Sequence, residues 1–357
     1  MTWSNKKLVT PVLLAVVALA WNGDLSAQKP IRVGTTAAEF LSIGYGSAGC
    51  AMGDAYVGVV DDISGVYWNP AGLSAMQGSQ AMFTYQPWLA GINTFFMSAG
   101  IRVPAMGVFA VSAFGVDYGE MDVTTVEDQY GTGETFSPKD YAFVLSYGRK
   151  LAQWFGFGAS AKYVTSRIWH ETASALAFDL GVRINTSFFA PAGNSERGLT
   201  LGMSVSNYGT AMKYDGLDML RSYDINPDES GNYQDSKVKF EGDRWELPLI
   251  FRIGVAVTPI EFTHHSLMLA VDALHVNNNN ESVNVGAQYT LNAPGFGKIC
   301  LRGGYRALFL EDSEFGPTFG VGLVKQYMKN KNIALDLAYR DVGILGMFPT
   351  FSAMVTF

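Results

Sequence analysis

The 357-residue chain carries little charge for its length. Asp, Glu, Lys and Arg together make up 16% of its residues, whereas a soluble domain usually contains about 25% of these residues. The formal net charge is −7, and no segment concentrates basic residues as a nucleic-acid-binding surface does. The composition therefore argues against an ordinary soluble protein and against a nucleic-acid partner.

The chain also lacks a long apolar run beyond its first residues. A membrane-spanning helix needs about 20 consecutive apolar residues, and no run after the N-terminus reaches that length. The sequence is nevertheless 48% hydrophobic and 13% aromatic, with 39 glycines. A high content of glycine and aromatic residues with weak, alternating hydrophobicity is typical of a transmembrane β-barrel.

Cysteine and histidine are scarce, which limits the chemistry available. Cys50 and Cys300 could pair in an exported protein, but nothing in their spacing indicates it, and two unpaired, buried thiols are the favoured interpretation. The four histidines show neither a metal-ligand spacing nor the partners of a catalytic triad. Gly44–Gly49 matches the pattern GxGxxG but lacks the βαβ unit of a nucleotide site. We predict a protein without enzymatic activity, metal or cofactor.

The first 27 residues have the three parts of a secretory signal peptide. Two lysines near the start are followed by the apolar Leu8–Ala20, and Ala27 before Gln28 provides a small-residue cleavage site. The apolar part is too short to span a membrane comfortably. We expect residues 1–27 to be removed on export.

From residue 79 onward, apolar and polar residues alternate with the period of two that marks β-strands. Fourteen segments fit this pattern, and single-chain bacterial barrels have an even number of strands. The segments are about Gln80–Trp88, Thr94–Val103, Gly107–Tyr118, Asp140–Lys150, Phe155–Ile168, Ala173–Thr186, Leu199–Asn207, Glu246–Val257, Ser266–Leu274, Glu281–Tyr289, Lys298–Tyr305, Gly316–Val324, Asn332–Arg340 and Thr350–Phe357. We therefore predict that residues 79–357 form a 14-stranded antiparallel transmembrane β-barrel.

The gaps between the predicted strands indicate an orientation. The two longest gaps, Gly119–Lys139 and Tyr208–Trp245, both follow odd-numbered strands, whereas the short gap Pro104–Met106 follows an even-numbered strand. Outer-membrane barrels have long extracellular loops and short periplasmic turns. With both chain ends in the periplasm, the long gaps are predicted to lie outside the cell. Ser187–Gly198 is an exception, because it is long for a periplasmic turn.

Eight charged residues alternate with apolar neighbours inside the predicted strands. An Arg or Lys that faces lipid at the membrane midplane costs about 2–4 kcal/mol. We therefore predict that all eight face the lumen: Lys162, Asp179, Arg183, Arg252, Asp272, Arg302, Asp336 and Arg340.

The segment before the strands has a different character. Gly44–Met76 is rich in small residues, which permit close packing in a narrow space. Asn69 before Pro70 is suited to cap a short helix, because the Asn side chain accepts from a free amide and proline has no amide to satisfy. We predict that residues 28–78 form a hatch inside the barrel.

The acid pair Asp61-Asp62 within this segment leaves two alternatives open. The two carboxylates either belong to a turn or helix cap, or they pair with luminal cations such as Arg183 or Arg252 and hold the hatch in place. Charge-assisted hydrogen bonds of the second kind are stronger in a partly dehydrated lumen than at a surface.

Several motifs along the chain carry a family resemblance. They are Asp61, Asp62, Trp68, Asn69, Pro70, Ala71 and Gly72 in the predicted hatch, and Asn207–Gly209, Leu247–Gly254 and Ala338–Asp341 further on. In these motifs the chain resembles the PorV/PorQ family of FadL-like outer-membrane barrels. The match departs at Gly72, where the family's secretion shuttle carries a lysine.

The resemblance implies a non-enzymatic barrel in the bacterial outer membrane, surrounded by outer-membrane lipid, with one of two functions. PorV-like members work with the type IX secretion machinery, so the partners would be secretion proteins and exported cargo that is passed to a surface-attachment complex. FadL-like barrels instead take up hydrophobic small molecules. Uptake needs an apolar pocket from the outer loops to the hatch, and Met268, Leu274 and Met354 are the few inward apolar candidates. The hatch motif favours the secretion role.

Overall fold

β-Strands in which apolar and polar residues alternate form the sheet of the barrel, here called the wall. The structure is a computed structural model that describes residues 34–190, 198–226, 228, 230, 236–310, 313–328 and 331–357. The predicted signal peptide and the first residues of the predicted hatch lie outside these ranges. Among the described residues, no helix combines the length and apolar character needed to cross a membrane.

Fourteen long strands of the described chain form one closed antiparallel sheet. In chain order they are β1 Gln80–Pro87, β2 Asn93–Val103, β3 Gly107–Asp117, β4 Lys139–Ala152, β5 Phe155–Ile168, β6 Glu171–Asn185, β7 Thr200–Gly209, β8 Ile250–Glu261, β9 His265–Val276, β10 Asn279–Ala293, β11 Gly297–Leu308, β12 Pro317–Met328, β13 Lys331–Asp341 and β14 Met347–Thr356. Each strand pairs with the next, and β1 pairs with β14 through the register Gln80 to Thr356. Closure leaves no free sheet edge, as a lipid environment requires. The predicted barrel is confirmed, and every predicted segment overlaps one strand.

Side chains alternate between the two faces of the wall. In β14, Phe351 and Val355 are 46% and 37% exposed, whereas Ser352 and Thr356 are 6% and 8% exposed. The same alternation occurs in β4, β5 and β6. The apolar side chains therefore form the outer, lipid-facing surface, and the small and polar side chains face inward.

The connections at the two ends of the barrel differ in length. Residues 118–138, between β3 and β4, include the paired segments Met121–Asp122 and Thr135–Phe136. Residues 210–249, between β7 and β8, include a hairpin of Leu220–Tyr223 with Ser236–Lys239. Both lie at the same end, which we call the long-loop end; the opposite, short-turn end has connections such as residues 104–106. Which end faces the outside of the cell stays a prediction.

Residues 39–78, here called the inner segment, pack against the inward face of the wall. They contain the short α-helices Ser47–Ala51 and Gly65–Trp68 and the 3-10 helices Glu39–Ser42 and Pro70–Ala75. Residues 49–60 and 63–73 are buried without exception. An aromatic cluster joins the segment to the wall, with ring centroids 4.9 Å apart between Tyr45 and Phe114 of β3. The inner segment and the wall therefore share one core.

The two cysteines take part in this packing. Cys50 lies in the inner segment, Cys300 lies in β11, and both are buried and free. The predicted unpaired thiols are confirmed.

Candidate functional site

The turn at Asn69 has the predicted cap. Asn69 is extended, with φ −162° and ψ 109°, and proline occupies the first position of the 3-10 helix that follows. The side-chain Oδ1 of Asn69 accepts a hydrogen bond from Ala71 N at 3.0 Å. The Nδ2 group donates to Val57 O at 3.0 Å and to Val182 O of β6 at 3.1 Å. The cap is confirmed, and the same carboxamide also joins the inner segment to the wall.

Around Trp68 and Gly72 the inner segment is packed so closely that only small neighbouring side chains fit. Trp68 is buried, and its Nε1 donates to Tyr45 O at 2.8 Å. A Cβ on Gly49 would lie 2.7 Å from the Trp68 ring, and a Cβ on Gly72 would lie 2.7 Å from Val60 Cγ1. Gly72, where the sequence departs from the secretion shuttle, is therefore a position at which a side chain would overlap Val60.

Of the acid pair Asp61-Asp62, only Asp62 forms a turn, and no ion pair with an arginine is found at either residue in the described part of the chain. Asp62 Oδ1 accepts from Ser64 N at 2.8 Å, two residues further along the chain, as an Asx-turn does. Asp61 is exposed. Within the described residues, neither carboxylate forms an ion pair with Arg183 or Arg252, and a role of the acid pair in holding the hatch stays a prediction. Burial, and secondly the neighbouring Asp61, raises the pKa of Asp62 to about 6.

The structure places all eight predicted luminal charges on the inward face, and three of them bind the backbone of the inner segment. Arg183 donates to the carbonyl of Val60, and Arg340 Nη1 donates to Ile43 O at 2.7 Å. Asp272 Oδ2 accepts from Tyr56 N at 2.7 Å and from Val57 N at 2.8 Å. The carbonyls and amides of the segment bind one part of each of these side chains, whereas Arg340 Nε and Nη2 and Asp272 Oδ1 have no hydrogen-bond partner among the described residues.

Four further charges pair with each other along the wall. Arg302 forms an ion pair with Asp336. Lys162 Nζ lies 2.8 Å from Asp179 Oδ2, and both side chains are almost completely buried. The Lys162 ammonium also donates to Asn207 Oδ1 at 2.7 Å, and Asn207 N donates to Asp179 Oδ1 at 2.8 Å. This network holds a β-bulge, because the register between β6 and β7 shifts here.

The eighth charge, Arg252 of β8, lies over aromatic rings. Its guanidinium carbon is 5.6 Å from the Tyr67 ring centroid and 5.9 Å from that of Trp68. Such contacts stabilise a cation when it is desolvated.

The sequence predictions missed a further ion pair. Arg306 Nε of β11 lies 3.1 Å from Asp54 Oδ2 of the inner segment. Arg306 has the same parity as Arg302 on β11, so the alternation of that strand would have indicated it. Asp54 belongs to the motif Met52–Ala55 of the predicted hatch, but no alternation marks it as the partner of a charge on the wall, and its backbone is left-handed with φ 63°.

A cavity of about 430 Å³ lies beside the inner segment at the long-loop end. Charged and amide side chains line it together with apolar ones: Glu39, Asp54, Arg252, Asn278, Asn280, Asn284, Arg306, Trp68, Trp88, Ile250, Leu274, Val276 and Phe315. Of the inward apolar candidates, Leu274 lines this cavity, whereas Met268 and Met354 pack against the core. In the described chain, no group of three His, Cys, Asp or Glu residues is arranged to hold a metal ion.

The part of the chain that contains the inner segment matches a known protein family. The family described as "Type IX secretion system protein PorV" matches residues 26–223, more than half of the chain. The chain belongs to the PorV family. As a member with a closed barrel, it is a protein of the bacterial outer membrane.

Solved structures with the same fold have little sequence in common with this PorV-family protein. The Pseudomonas putida toluene transporter TodX is 13% identical, with a TM-score of 0.51 over 87% of this chain and 97% of TodX. The CymD monoaromatic hydrocarbon channel is 10% identical, with a TM-score of 0.52 over 88% of this chain and 98% of CymD. These likenesses show a FadL-like fold. Comparison with curated proteins gave no match.

Proposed function

We propose that this PorV-family barrel is a non-catalytic accessory of protein secretion or surface attachment, working with secretion-machinery proteins and exported cargo of a type IX-like system. The observation that carries the proposal is the family match over residues 26–223. The matched region includes the whole inner segment and the first long loop.

In this proposal, residues 28–78 act as a hatch that keeps the barrel closed. Support comes from the burial of residues 49–60 and 63–73 and from the wall side chains that bind the backbone of the inner segment. A barrel filled in this way presents its long loops as the surface for partners. The β7–β8 loop exposes Leu217, Tyr223 and Phe240, and exposed apolar side chains among polar ones mark protein-interaction sites when they are contiguous.

Passive uptake of hydrophobic molecules is the second candidate function. The fold shared with TodX and CymD favours it. The lining of the cavity argues against it, because it contains Asp54, Arg252 and Arg306, and an apolar solute beside these side chains would displace water without supplying a hydrogen bond.

Affinity purification of the tagged full-length protein in mild detergent, with mass spectrometry of the bound proteins, tests the proposed function. We expect secretion components and exported proteins to co-purify. The double variant Tyr223→Ser/Phe240→Ser should reduce their recovery, since it removes exposed apolar surface of the β7–β8 loop. The matched control Phe262→Ser changes an exposed aromatic residue at the short-turn end and should not reduce it. Recovery of lipid alone, together with slower toluene uptake by cells that lack the protein, would favour the uptake function instead.

A further inference from the structure

The outer, lipid-facing surface of the wall carries an apolar groove of about 370 Å³ across strands β1, β14, β13 and β12. Ala353 of β14 is the smallest outward-facing side chain in its lining. Ala353 pairs with Phe83 of β1 on one side and with Leu335 of β13 on the other, and Leu335 pairs with Leu323 of β12. Because residues that pair across strands point to the same face of a sheet, one small side chain lies here among large ones. The groove is the depression that this leaves.

Two lysines lie on the same outward face, at the short-turn end of the groove. Lys325 follows Leu323 by two positions on β12, and Lys331 precedes Ile333 and Leu335 on β13. Both lysines are exposed. Within the described residues, neither of them forms an ion pair with an acidic side chain. The groove therefore has a cationic end and an apolar length.

The distance from the lysines to the far end of the groove matches one leaflet of a membrane. Lys331 and Leu337 are six positions apart on β13, which is about 20 Å at about 3.3 Å per residue. In a barrel strand that is tilted by about 40°, this length covers about 15 Å of depth. Half of a hydrocarbon core of about 30 Å is also about 15 Å. With the groove among the acyl chains of one leaflet, the lysines lie at the level of its headgroups.

This combination discriminates between classes of ligand. A phosphate group accepts hydrogen bonds from lysine ammonium groups, but free phosphate would leave the apolar groove unused. A hydrocarbon would fill the groove and leave both lysines without a partner. A phospholipid has an anionic phosphate and an apolar chain on one molecule, so it complements both parts of the surface.

We propose that this surface is a binding site for one anionic phospholipid. Its phosphate binds Lys325 and Lys331, and one acyl chain lies along Ala353, across the seam where β14 pairs with β1. With the long loops outside the cell, as predicted, the short-turn end lies in the periplasmic leaflet, which supplies the lipid. The site is independent of the proposed secretion function, because it lies on the outside of the wall and away from the long loops.

Native mass spectrometry of the full-length protein, released from mild detergent, tests the inference. Phosphatidylglycerol and the zwitterionic phosphatidylcholine are the probes. We expect one phosphatidylglycerol to bind more tightly than further copies and more tightly than phosphatidylcholine. The double variant Lys325→Gln/Lys331→Gln should weaken this first binding roughly thirtyfold, the combined effect of two lysines at an anionic lipid surface. Ala353→Phe fills the groove, keeps both charges and should remove the preference for a first lipid.

The wall offers a matched control for each variant. Arg149→Gln removes an exposed, outward-facing cation at the short-turn end of β4, and Ala161→Phe enlarges an exposed alanine of β5. Both controls should bind phosphatidylglycerol like the parent, and heat-resistant electrophoretic mobility shows that each variant is folded. Binding equal to that of the parent in the double lysine variant or in Ala353→Phe would overturn the inference. So would equal loss in the controls, or tighter binding of lipopolysaccharide than of phosphatidylglycerol.

Discussion

The Asn69 carboxamide shows how much one side chain can contribute in a filled barrel. It accepts from Ala71 and donates to Val57 and Val182, and it is fully buried. A buried carboxamide needs such partners, because burial without them costs free energy. Loss of this side chain would therefore affect two parts of the inner segment and β6 together.

Asn69→Ala should destabilise the inner segment by more than a lost cap. The cap is worth about 1 kcal/mol, and the two carbonyls left without a donor add about 1–3 kcal/mol each at most. Asn69→Ser retains a capping hydroxyl but not the carbonyl contacts and should fall between alanine and the parent. Hydrogen exchange of residues 57–75 measures the effect, and equal exchange in all three proteins would contradict it.

Asp62 should make the inner segment sensitive to pH. Its pKa in the folded protein, about 6, lies above the usual value of about 3.9, so the charged form is disfavoured by folding. The stability that comes from the protonated form is fully present below the unfolded pKa and is lost as the pH rises through about 6. Proteolysis of the inner segment should therefore be slower at pH 5 than at pH 7.5. Asp62→Asn, which keeps an oxygen for Ser64, should remove this difference; an unchanged pH dependence would exclude Asp62 as its source.

At the scale of the structural elements, the backbone of the inner segment lies directly against the backbone of the barrel strands. A Cβ on Gly304 of β11 would overlap the carbonyl group of Met52, and a Cβ on Gly158 of β5 would overlap that of Pro70. Glycine is needed there for close approach and not for its backbone angles. The wall strands therefore carry a surface shaped to this particular segment.

Gly304→Ala should displace the inner segment while the barrel still assembles. The neighbouring Gly303→Ala is the control, because its nearest atom, Thr318 O, would be 3.8 Å from the added Cβ. In planar bilayers, Gly304→Ala should raise single-channel conductance and Gly303→Ala should not. Both variants should keep the heat-resistant electrophoretic mobility of a folded barrel. Equal conductance of the two folded variants would show that the contact does not close the lumen.

The network at the β6–β7 bulge should be sensitive to removal of one partner. Lys162→Met leaves Asp179 buried without its cation, and breaking a buried ion pair in this way costs about 3–5 kcal/mol. The double variant Lys162→Met/Asp179→Leu removes both charges and should recover much of the stability. Unfolding in guanidinium, followed by electrophoretic mobility, measures both. A single variant as stable as the parent would mean that the pair does not stabilise the bulge.

At the scale of the whole molecule, the two ends of the barrel differ in the length of their loops, and this difference determines which side chains each end exposes. Residues 118–138 and 210–249 lie at one end, and the other end has short turns between most strands. An orientation with the long loops outside the cell would expose Tyr130, Tyr223 and Phe240 to partners there.

Protease added to intact cells should cut within residues 118–138 and 210–249. It should spare residues 104–106, which the orientation places in the periplasm, until the outer membrane is permeabilised. Cleavage at 104–106 in intact cells, with the long loops spared, would require the opposite orientation.

The sequence by itself determined the number of strands, their approximate bounds, their inward and outward faces and the cap at Asn69. These features are local: a period of two places Phe351 and Ser352 on opposite faces, and the Asn69-Pro70 pair defines its own turn.

Only the tertiary structure decided how the inner segment is held. The contacts of Asp272 with Tyr56 and of Arg306 with Asp54 join residues more than 200 positions apart, and no local pattern encodes the depth or rotation of the segment inside the wall. The choice between a turn and an ion pair for Asp62 depended on the same placement. The free energy of a buried charge depends on every group around it, and closure of the barrel brings those groups together from distant parts of the chain.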